Sequence, residues 1–498
     1  MTTKTLVKTI IVCLFCSVKI VAQTAKPFPQ HYVYTAGSIL PNNRTQAQLD
    51  SITIAFYNQW KGVYLKNNCA TNEYYVWFQP PAGDNTLCVS EGQGYGMLIA
   101  AYMAGYDPNA QTYFDGLYNY YNAHKSTINP TLMAWQQITG CGNNPSGGGD
   151  AATDGDLDIA YALLLAHNQW GSTGTINYLQ KANALITAIM QDEINPITFT
   201  TKLGDWANST DPMYYDTRCS DFMMDHFRAF HAASNNANWA NVTNKCYTLI
   251  NTMQATKSPN TGLLPDFIVN CNTTPTPASA NYLESAYDGH YYYNSCRTPW
   301  RISTDYLLNG DVRAKTALDK MNTWIRVKTS NNAATIKDGY HLSGTGITGS
   351  TSLSSAFVAP FAVAAMDSSI NQAWLNNSYN TLIGLQLANE GYFENTIKMM
   401  ALIVLSGNWW AVPSIVTAVP FPHSTIGVTV APNPNKGTFT VHSTTENLGK
   451  TIEVYTILGN RINSYILTSN ALVLNNLLQG IYILKLQGGA AITKIVVE

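Results

Sequence analysis

The chain has 498 residues, of which only 12% are charged, and its formal net charge at pH 7 is −2. This balance argues against the basic surface by which nucleic-acid-binding proteins hold phosphates, so no nucleic-acid partner is expected. The length is sufficient for one large domain and a smaller one.

The first residues have the pattern of an export signal. Lys4 and Lys8 precede an apolar run, and Ala22 provides the small side chain typical of a cleavage site. Lys19 interrupts the run, which is therefore too short to span a bilayer well. The sequence predicts a signal peptide over residues 1–22 and no stable membrane span.

Cysteine usage also fits an oxidising compartment. Seven cysteines follow the signal, and an odd number leaves at least one thiol unpaired. Because no CxxC pair occurs, a zinc ribbon is not expected. Two local disulfides are considered from sequence proximity, Cys69 with Cys88 and Cys271 with Cys296.

Helical periodicity dominates the chain as far as about residue 418. Apolar residues recur at i, i+3, i+4 and i+7 in segments such as DLDIAYALLLAHNQW and YLQKANALITAIMQ. Twelve such segments are predicted to start near residues 44, 91, 110, 156, 174, 219, 237, 292, 311, 351, 369 and 391. Twelve helices, paired as six antiparallel hairpins, predict an all-α (α/α)6 barrel over residues 27–418.

The period changes to two after the segment FPHSTIG. Short strand-like segments separated by turn residues follow, among them VTVAPNPNKGTFTVHS and TIEVYTILGNRI. The pattern predicts a small, separate all-β sandwich over residues 424–498.

Carboxylates and aromatic residues carry the chemical signal. Helix starts on the same side of a barrel converge on one face, and glycoside hydrolysis needs one protonated and one ionised carboxyl group there. Aromatic faces stack on sugar rings. For Glu91 the alternative is a helix-start residue that complements the helix dipole. The carboxylates at helix starts and in a tyrosine-rich loop are Glu91, Asp154, Asp156, Asp221, Asp225, Glu284 and Asp288.

Four motifs in order, SEGQGYGMLIA, FDGLYNYY, AATDGDLDIA and CRTPWRISTDY, resemble glycoside hydrolase family 8. The resemblance spans roughly residues 45–412 and implies an (α/α)6 barrel that cleaves β-1,4-linked polymers with inversion, a chemistry that needs no metal or organic cofactor. It implies that Glu91 is the proton donor. It also implies that Asp154 holds the sugar at the cleavage subsite in a distorted conformation, together with Arg297.

Asn294 departs from the commonest pattern of that family. Many members carry the catalytic base as the aspartate of a YDAxR motif, whereas this chain reads YYNSCR. An amide cannot accept a proton from water, so the chain resembles the subgroup whose base is a glutamate in an upstream loop. Glu284 matches that base, and Asp288 is the second choice.

Asp221 is a second difference, since cellulase-type relatives tend to have a tyrosine at this position. In this respect too the chain resembles the subgroup that contains chitosanases and bacterial glucanases. We expect Asp221 either to meet the cation of an amino sugar or to cap a helix. Trp135, Tyr293 and Trp300 are predicted to stack on sugars, with core packing as the alternative.

The tail, VAPNPNKGTFTV to TKIVVE, resembles the C-terminal sorting domain of the type IX secretion system over about residues 426–498. The resemblance implies export through the outer membrane, with the secretion machinery as a partner. The predicted protein is a monomeric, secreted, inverting endo-β-1,4-glycanase. Its polysaccharide substrate is left open among chitosan, mixed-linkage glucan, cellulose and xylan. The alternative, favoured by Asn294, is a non-catalytic glycan-binding protein that has lost its base.

Overall fold

A computed structural model describes residues 24–350, 352–412, 428–456, 461–486 and 491–497. The predicted signal peptide and the predicted domain limits at 418 and 424 lie outside the described residues. The chain divides into two compact units, residues 1–415 and 416–498.

The first unit is a helical barrel, as predicted. Its helices begin within a few residues of their expected starts, and two begin later because short 3-10 turns, Cys219–Asp221 and Ser295–Arg297, precede them. The described part of the first unit contains twelve α-helices: α1 (Gln46–Tyr64), α2 (Ser90–Tyr102), α3 (Ala110–Ala123), α4 (Thr153–Trp170), α5 (Tyr178–Asp192), α6 (Met224–Ser234), α7 (Asn238–Thr256), α8 (Thr298–Asn309), α9 (Val312–Lys328), α10 (Ser355–Ala364), α11 (Gln372–Gly384) and α12 (Tyr392–Leu405).

The helices form two layers. The even-numbered helices α2, α4, α8, α10 and α12 are buried over most of their surface, whereas odd-numbered helices such as α5 and α9 bury one face. A helix that is apolar all round belongs inside, and one with a single apolar stripe belongs outside. This alternation is the arrangement of an (α/α)6 barrel.

Glycines bring the N-terminal ends of α2 and α4 together. A Cβ atom on Gly94 would lie 2.7 Å from the Cβ of Asp158, and one on Gly155 would lie 2.4 Å from the hydroxyl of Ser90. Larger residues would push the two helices apart, since real Cβ atoms do not approach so closely. The glycines therefore allow the first turns of α2 and α4 to face each other.

Small antiparallel sheets, which the sequence did not predict, decorate this unit. The strands are β1 (Leu65–Lys66), β2 (Tyr75–Val76), β3 (Thr86–Val89), β4 (Gln136–Ile138), β5 (Gly142–Asn143), β6 (Thr217–Arg218), β7 (Phe267–Val269) and β8 (Thr276–Pro277). Strand β1 pairs with β2, β4 lies between β3 and β5, and β7 lies between β6 and β8.

The disulfide predictions are wrong. Cys69 is bonded to Cys141, with 5.7 Å between their Cα atoms. The fold joins two loops 72 positions apart, and sequence proximity does not reveal this contact. The remaining cysteines among the described residues have free thiols and are buried: Cys88, Cys219, Cys246, Cys271 and Cys296.

The second unit consists of two antiparallel sheets with one apolar core, in agreement with the predicted sandwich. Its strands are β9 (Val428–Ala431), β10 (Phe439–Ser443), β11 (Thr451–Thr456), β12 (Arg461–Ile466), β13 (Ala471–Leu474), β14 (Gly480–Leu486) and β15 (Ala491–Val497). The sheet orders are β13-β10-β9 and β12-β11-β14-β15, and both sheets contribute to the core, for example through Phe439 and Val454. Across the described ranges of the chain, no helix combines the length and apolar character needed to cross a bilayer.

Candidate active site

A cleft of about 400 Å³ opens beside the first turns of α2, α4 and α12. Carboxylates, arginines and aromatic rings share its surface, as glycan chemistry requires. Among the residues that line it are Phe78, Glu91, Trp135, Asp154, Arg218, Glu284, Tyr293, Asn294, Arg297, Tyr392, Phe393 and Glu394.

Glu91 occupies the first turn of α2 and points into this cleft. Its carboxylate accepts a hydrogen bond from the hydroxyl of Tyr392 at 3.0 Å and pairs with Nη1 of Arg297. Burial raises the pKa of Glu91 to about 6; Arg297 opposes this rise, and the charge of Asp154 adds to it. A carboxyl group of that kind holds a proton in mildly acidic solution, as a general acid must.

Arg297 is the hub of the site. Its Nη1 also donates to Oδ2 of Asp154 at 3.1 Å, and its Nη2 donates to Oδ1 of Asn294 at 3.0 Å. The guanidinium is buried and lies at the end of the 3-10 turn before α8. One buried cation therefore fixes Glu91, Asp154 and Asn294 relative to one another.

Glu284 lies on the loop between β8 and α8 and is held by two donors. Nη2 of Arg218 donates to Oε1 at 2.7 Å, and Nδ2 of Asn294 donates to Oε2 at 2.7 Å. Its side chain is 42% exposed, so water reaches it. Hydrogen bonds thus run from Glu91 through Arg297 and Asn294 to Glu284.

Asp288 does not line the cleft, which corrects its prediction as the second-choice base. It is buried, and its carboxylate accepts the backbone N–H groups of Leu283 at 2.7 Å, Glu284 at 3.0 Å and Ser285 at 2.8 Å. Both oxygens are engaged in shaping the loop that presents Glu284.

Asp221 is also buried and is not among the residues that line the cleft. One carboxylate oxygen accepts a hydrogen bond from the hydroxyl of Ser220 at 2.9 Å, and the other has no hydrogen-bond partner among the described residues. Burial and the charge of Asp154 raise the pKa of Asp221 to about 7, against the effect of Arg218. Its absence from the cleft lining does not fit the predicted contact with a substrate cation, and because no described backbone N–H donates to it, it does not cap a helix.

Two other predicted carboxylates belong to the interior. Asp156 accepts the backbone N–H of Met133 at 3.0 Å, and Asp225 contacts the imidazole of His226 at 3.0 Å. Neither lines the cleft. They occupy helix starts, as expected, but support the barrel rather than the site.

Of the three aromatic residues predicted to stack on sugars, two line the cleft and one does not. Trp135 and Tyr293 line the cleft, and the indole N–H of Trp135 donates to the carbonyl of Gly147 at 2.8 Å. Trp300 is fully buried and packs against Tyr95, so its predicted stacking on sugar is wrong. It belongs to the inner helix α8 and is directed to the core.

Sequence reasoning missed several cleft residues, notably Arg218, Tyr392, Phe393 and Glu394. Tyr392 and its two successors open α12, and the rule that helix starts converge on one face identifies them once α12 is placed. Arg218 ends the two-residue strand β6, which leaves no recognisable pattern in the sequence.

Comparison with known proteins supports both units. Residues 429–498 match the family described as secretion system C-terminal sorting domain. This domain marks proteins exported by the type IX system to the cell surface or beyond, and the secretion machinery is accordingly a partner.

The barrel is similar to proteins named as glucanases. A beta-glucanase of Niallia circulans is 55% identical over 77% of this chain and 91% of its own length. An endoglucanase of Bacillus sp. (strain KSM-330) is 42% identical over 79% of this chain and 83% of its own length. The apo structure of a beta-1,3-1,4-glucanase from Paenibacillus sp. X4 aligns with a TM-score of 0.74 at 52% identity, covering 78% of this chain and all of that one.

Structures of more distant relatives share the fold alone. One is Rex8A of Paenibacillus barcinonensis complexed with xylose, at 18% identity and a TM-score of 0.60 over 76% of this chain and 98% of that one. Residues 33–407 match the family described as glycosyl hydrolases family 8. The chain thus belongs to glycosyl hydrolases family 8 and is an exported O-glycoside hydrolase that acts within glycan chains.

Proposed function

We propose that this enzyme hydrolyses internal β-1,4 bonds of mixed-linkage β-glucan with inversion of the anomeric carbon. In this proposal Glu91 is the general acid and Glu284 is the general base. The observation that carries it is the hydrogen-bonded connection from Glu91 through Arg297 and Asn294 to Glu284. Inverting pairs stand roughly 6.5–9.5 Å apart to admit a water molecule, and an intervening arginine and amide suit such a gap.

Glu91 transfers its proton to the glycosidic oxygen while the bond from that oxygen to the anomeric carbon breaks. The raised pKa of Glu91, caused first by its burial, supports this role. The hydroxyl of Tyr392 and the guanidinium of Arg297 orient the carboxyl and stabilise the carboxylate that remains.

Glu284 takes a proton from the water that attacks the anomeric carbon from the opposite face. Arg218 and Asn294 orient its two oxygens, and its exposure supplies the water. Asn294 stands where many relatives have the base, and here its amide positions the replacement carboxylate. Asp154, next to Arg297, is placed to hold the reacting sugar, while Trp135 and Tyr293 offer ring faces.

Two similarities support mixed-linkage glucan over the other polymers. The 52%-identical structure is named a beta-1,3-1,4-glucanase, and the 55%-identical relative is named a beta-glucanase. The burial of Asp221 removes the main argument for an amino-sugar polymer such as chitosan.

The alternative that Asn294 favoured, a non-catalytic glycan-binding protein, is set aside because the chain belongs to a family of glycosyl hydrolases. Glu284, 2.7 Å from that amide, argues against it. Reducing-end assays on lichenan test the roles of Glu91 and Glu284. We expect Glu91→Gln and Glu284→Ala to lower turnover by about 10²–10⁴-fold. Azide should restore chain cleavage by Glu284→Ala only, followed as the fall in lichenan viscosity because the glycosyl azide that forms has no reducing end. Glu73→Gln, outside the cleft, is the matched control. Full activity in either cleft variant contradicts the assignment, and a wild-type protein inactive on lichenan contradicts the proposed substrate.

A further inference from the structure

A second cavity, of about 520 Å³, lies against the loop that carries Glu284. Glu284 lines the catalytic cleft, and Ala286, two positions later, lines the second cavity. Other residues around it include Lys257, His290, His341 and Ser343. The volume falls in the range of small-molecule binding sites, roughly 300–1,000 Å³.

Aromatic rings connect the two cavities. The ring of Tyr293, which lines the cleft, lies 4.8 Å from that of Tyr292, whose centroid is 4.9 Å from that of Tyr287. The ring of Tyr287 is 6.4 Å from that of His290, which is 4.3 Å from that of His341. All five side chains are partly exposed. Tyr292 with Tyr293 and His290 with His341 meet edge to face, at 84° and 73°, so the series offers ring faces and ring edges in turn against which sugar units can pack.

The far end of this series offers hydrogen-bonding groups without partners. Within the described ranges neither His290 nor His341 makes a side-chain hydrogen bond, so both imidazoles are available to hydroxyl groups. Burial, together with His341, lowers the pKa of His290, which keeps that ring neutral at pH 7. Neutral imidazoles both donate to and accept from sugar hydroxyls.

Backbone hydrogen bonds hold the walls of the second cavity in place. The two loops are joined by backbone hydrogen bonds in both directions between Tyr291 and Tyr340, at 3.0 and 2.9 Å. The backbone N–H of Asp266 donates to the carbonyl of His290 at 2.8 Å. A preformed surface loses less entropy on binding than a flexible one.

We propose that this cavity is a distal glycan-binding site that holds sugar units of the same polymer chain where it extends beyond the cleft over Tyr292 and Tyr287. The ligand is a neutral β-linked glucan segment, recognised by ring stacking and by hydrogen bonds to His290 and His341. This inference rests on the proposed function. The site predicts that affinity increases with chain length beyond what the catalytic cleft accommodates.

The test uses the full chain carrying Glu91→Gln, so that bound glucan is not cut. Affinity electrophoresis in lichenan and calorimetry with mixed-linkage oligosaccharides of increasing length measure binding. Adding His341→Ala or Tyr287→Ala is expected to weaken lichenan binding about two- to tenfold, and trisaccharide binding less than twofold. Matched controls are His231→Ala, in the last turn of α6, and Tyr106→Ala, beyond the C-terminal end of α2.

Equal lichenan affinity for the distal variants and the controls overturns the proposal, provided that thermal melting shows all of them folded. Equal losses on trisaccharide and lichenan also overturn it, because they indicate damage to the cleft itself. Near wild-type hydrolysis by Glu91→Gln contradicts the proposed function instead. The two failures are therefore distinguishable.

Discussion

Replacing Arg218 by methionine tests whether the hold on Glu284 matters for catalysis. Methionine keeps much of the volume against Phe267 but removes the donor that lies 2.7 Å from Oε1 of Glu284. A hydrogen bond to a charged group contributes about 1.5–3 kcal/mol. Because the Glu284 side chain is 42% exposed, water compensates in part, and we take the lower end, ~1.5 kcal/mol.

That free energy corresponds to roughly a tenfold loss of kcat, since 1.36 kcal/mol is tenfold in rate. We expect KM on lichenan to change by less than about twofold, because Asn294 keeps Glu284 near the cleft and the stacking surface is intact. Steady-state kinetics of Arg218→Met measure both constants, and Arg313→Met, on the exposed start of α9, is the control. In the Glu284→Ala background the same change should have little effect on azide-dependent turnover. An equal loss in both backgrounds refutes the reasoning.

Three further predictions follow from the described contacts. The pKa of Glu91 is raised to about 6, chiefly by burial, so the protonated fraction of this carboxyl group falls above that pH. The value of kcat/KM on lichenan should therefore decline as pH rises through about 6. A flat profile to pH 8 contradicts the assignment of Glu91 as the acid. Cys141→Ser opens a disulfide that spans 72 positions and should lower the free energy of unfolding by about 4 kcal/mol in urea titrations under oxidising conditions, whereas an unchanged midpoint argues against the bond. Deleting residues 424–498 should leave a folded, active enzyme that the cell fails to release, and its appearance in the medium contradicts the sorting assignment.

Periodicity was sufficient to predict the barrel and the tail, because outer helices such as α5 and α9 bury one regular face and the main strands of the tail alternate between buried and exposed residues. The twelve helices are long enough for a 3.6-residue pattern to emerge, and the strands β10 and β14 alternate clearly. The small sheets of the barrel have only two to four residues per strand, too few for a pattern, and they were missed.

At the site, the sequence indicates which residues open the helices, but it does not indicate the direction in which their side chains point. Glu91 and Asp154 open helices and line the cleft, whereas Asp156, two positions after Asp154, points into the interior. A shift of two positions along a helix turns a side chain by roughly 200° around the helix axis. The sequence alone does not show which side of the helix faces the cleft. The prediction that Trp300 stacks on sugars is wrong for the same reason, since the inner helix α8 directs this side chain to the core.

Long-range partners were the least accessible feature. Arg218 lies 66 positions from Glu284, and Cys69 lies 72 positions from Cys141. Contacts at such separations are made by the folded chain as a whole. The hydrogen bonds within loops are equally inaccessible from the sequence. Asp288 is a plausible base by sequence, but in the structure three backbone N–H groups donate to its carboxylate.

The configuration of the first product tests the central claim most directly. Proton NMR of a mixed-linkage oligosaccharide, recorded in the first minutes of hydrolysis, distinguishes the anomers before mutarotation mixes them. Glu91 protonates the glycosidic oxygen, and Glu284 deprotonates a water that attacks the anomeric carbon from the opposite face. This attack inverts the β-linked carbon. We predict that the α-anomer appears first. Initial accumulation of the β-anomer indicates retention and contradicts the assigned roles of Glu91 and Glu284.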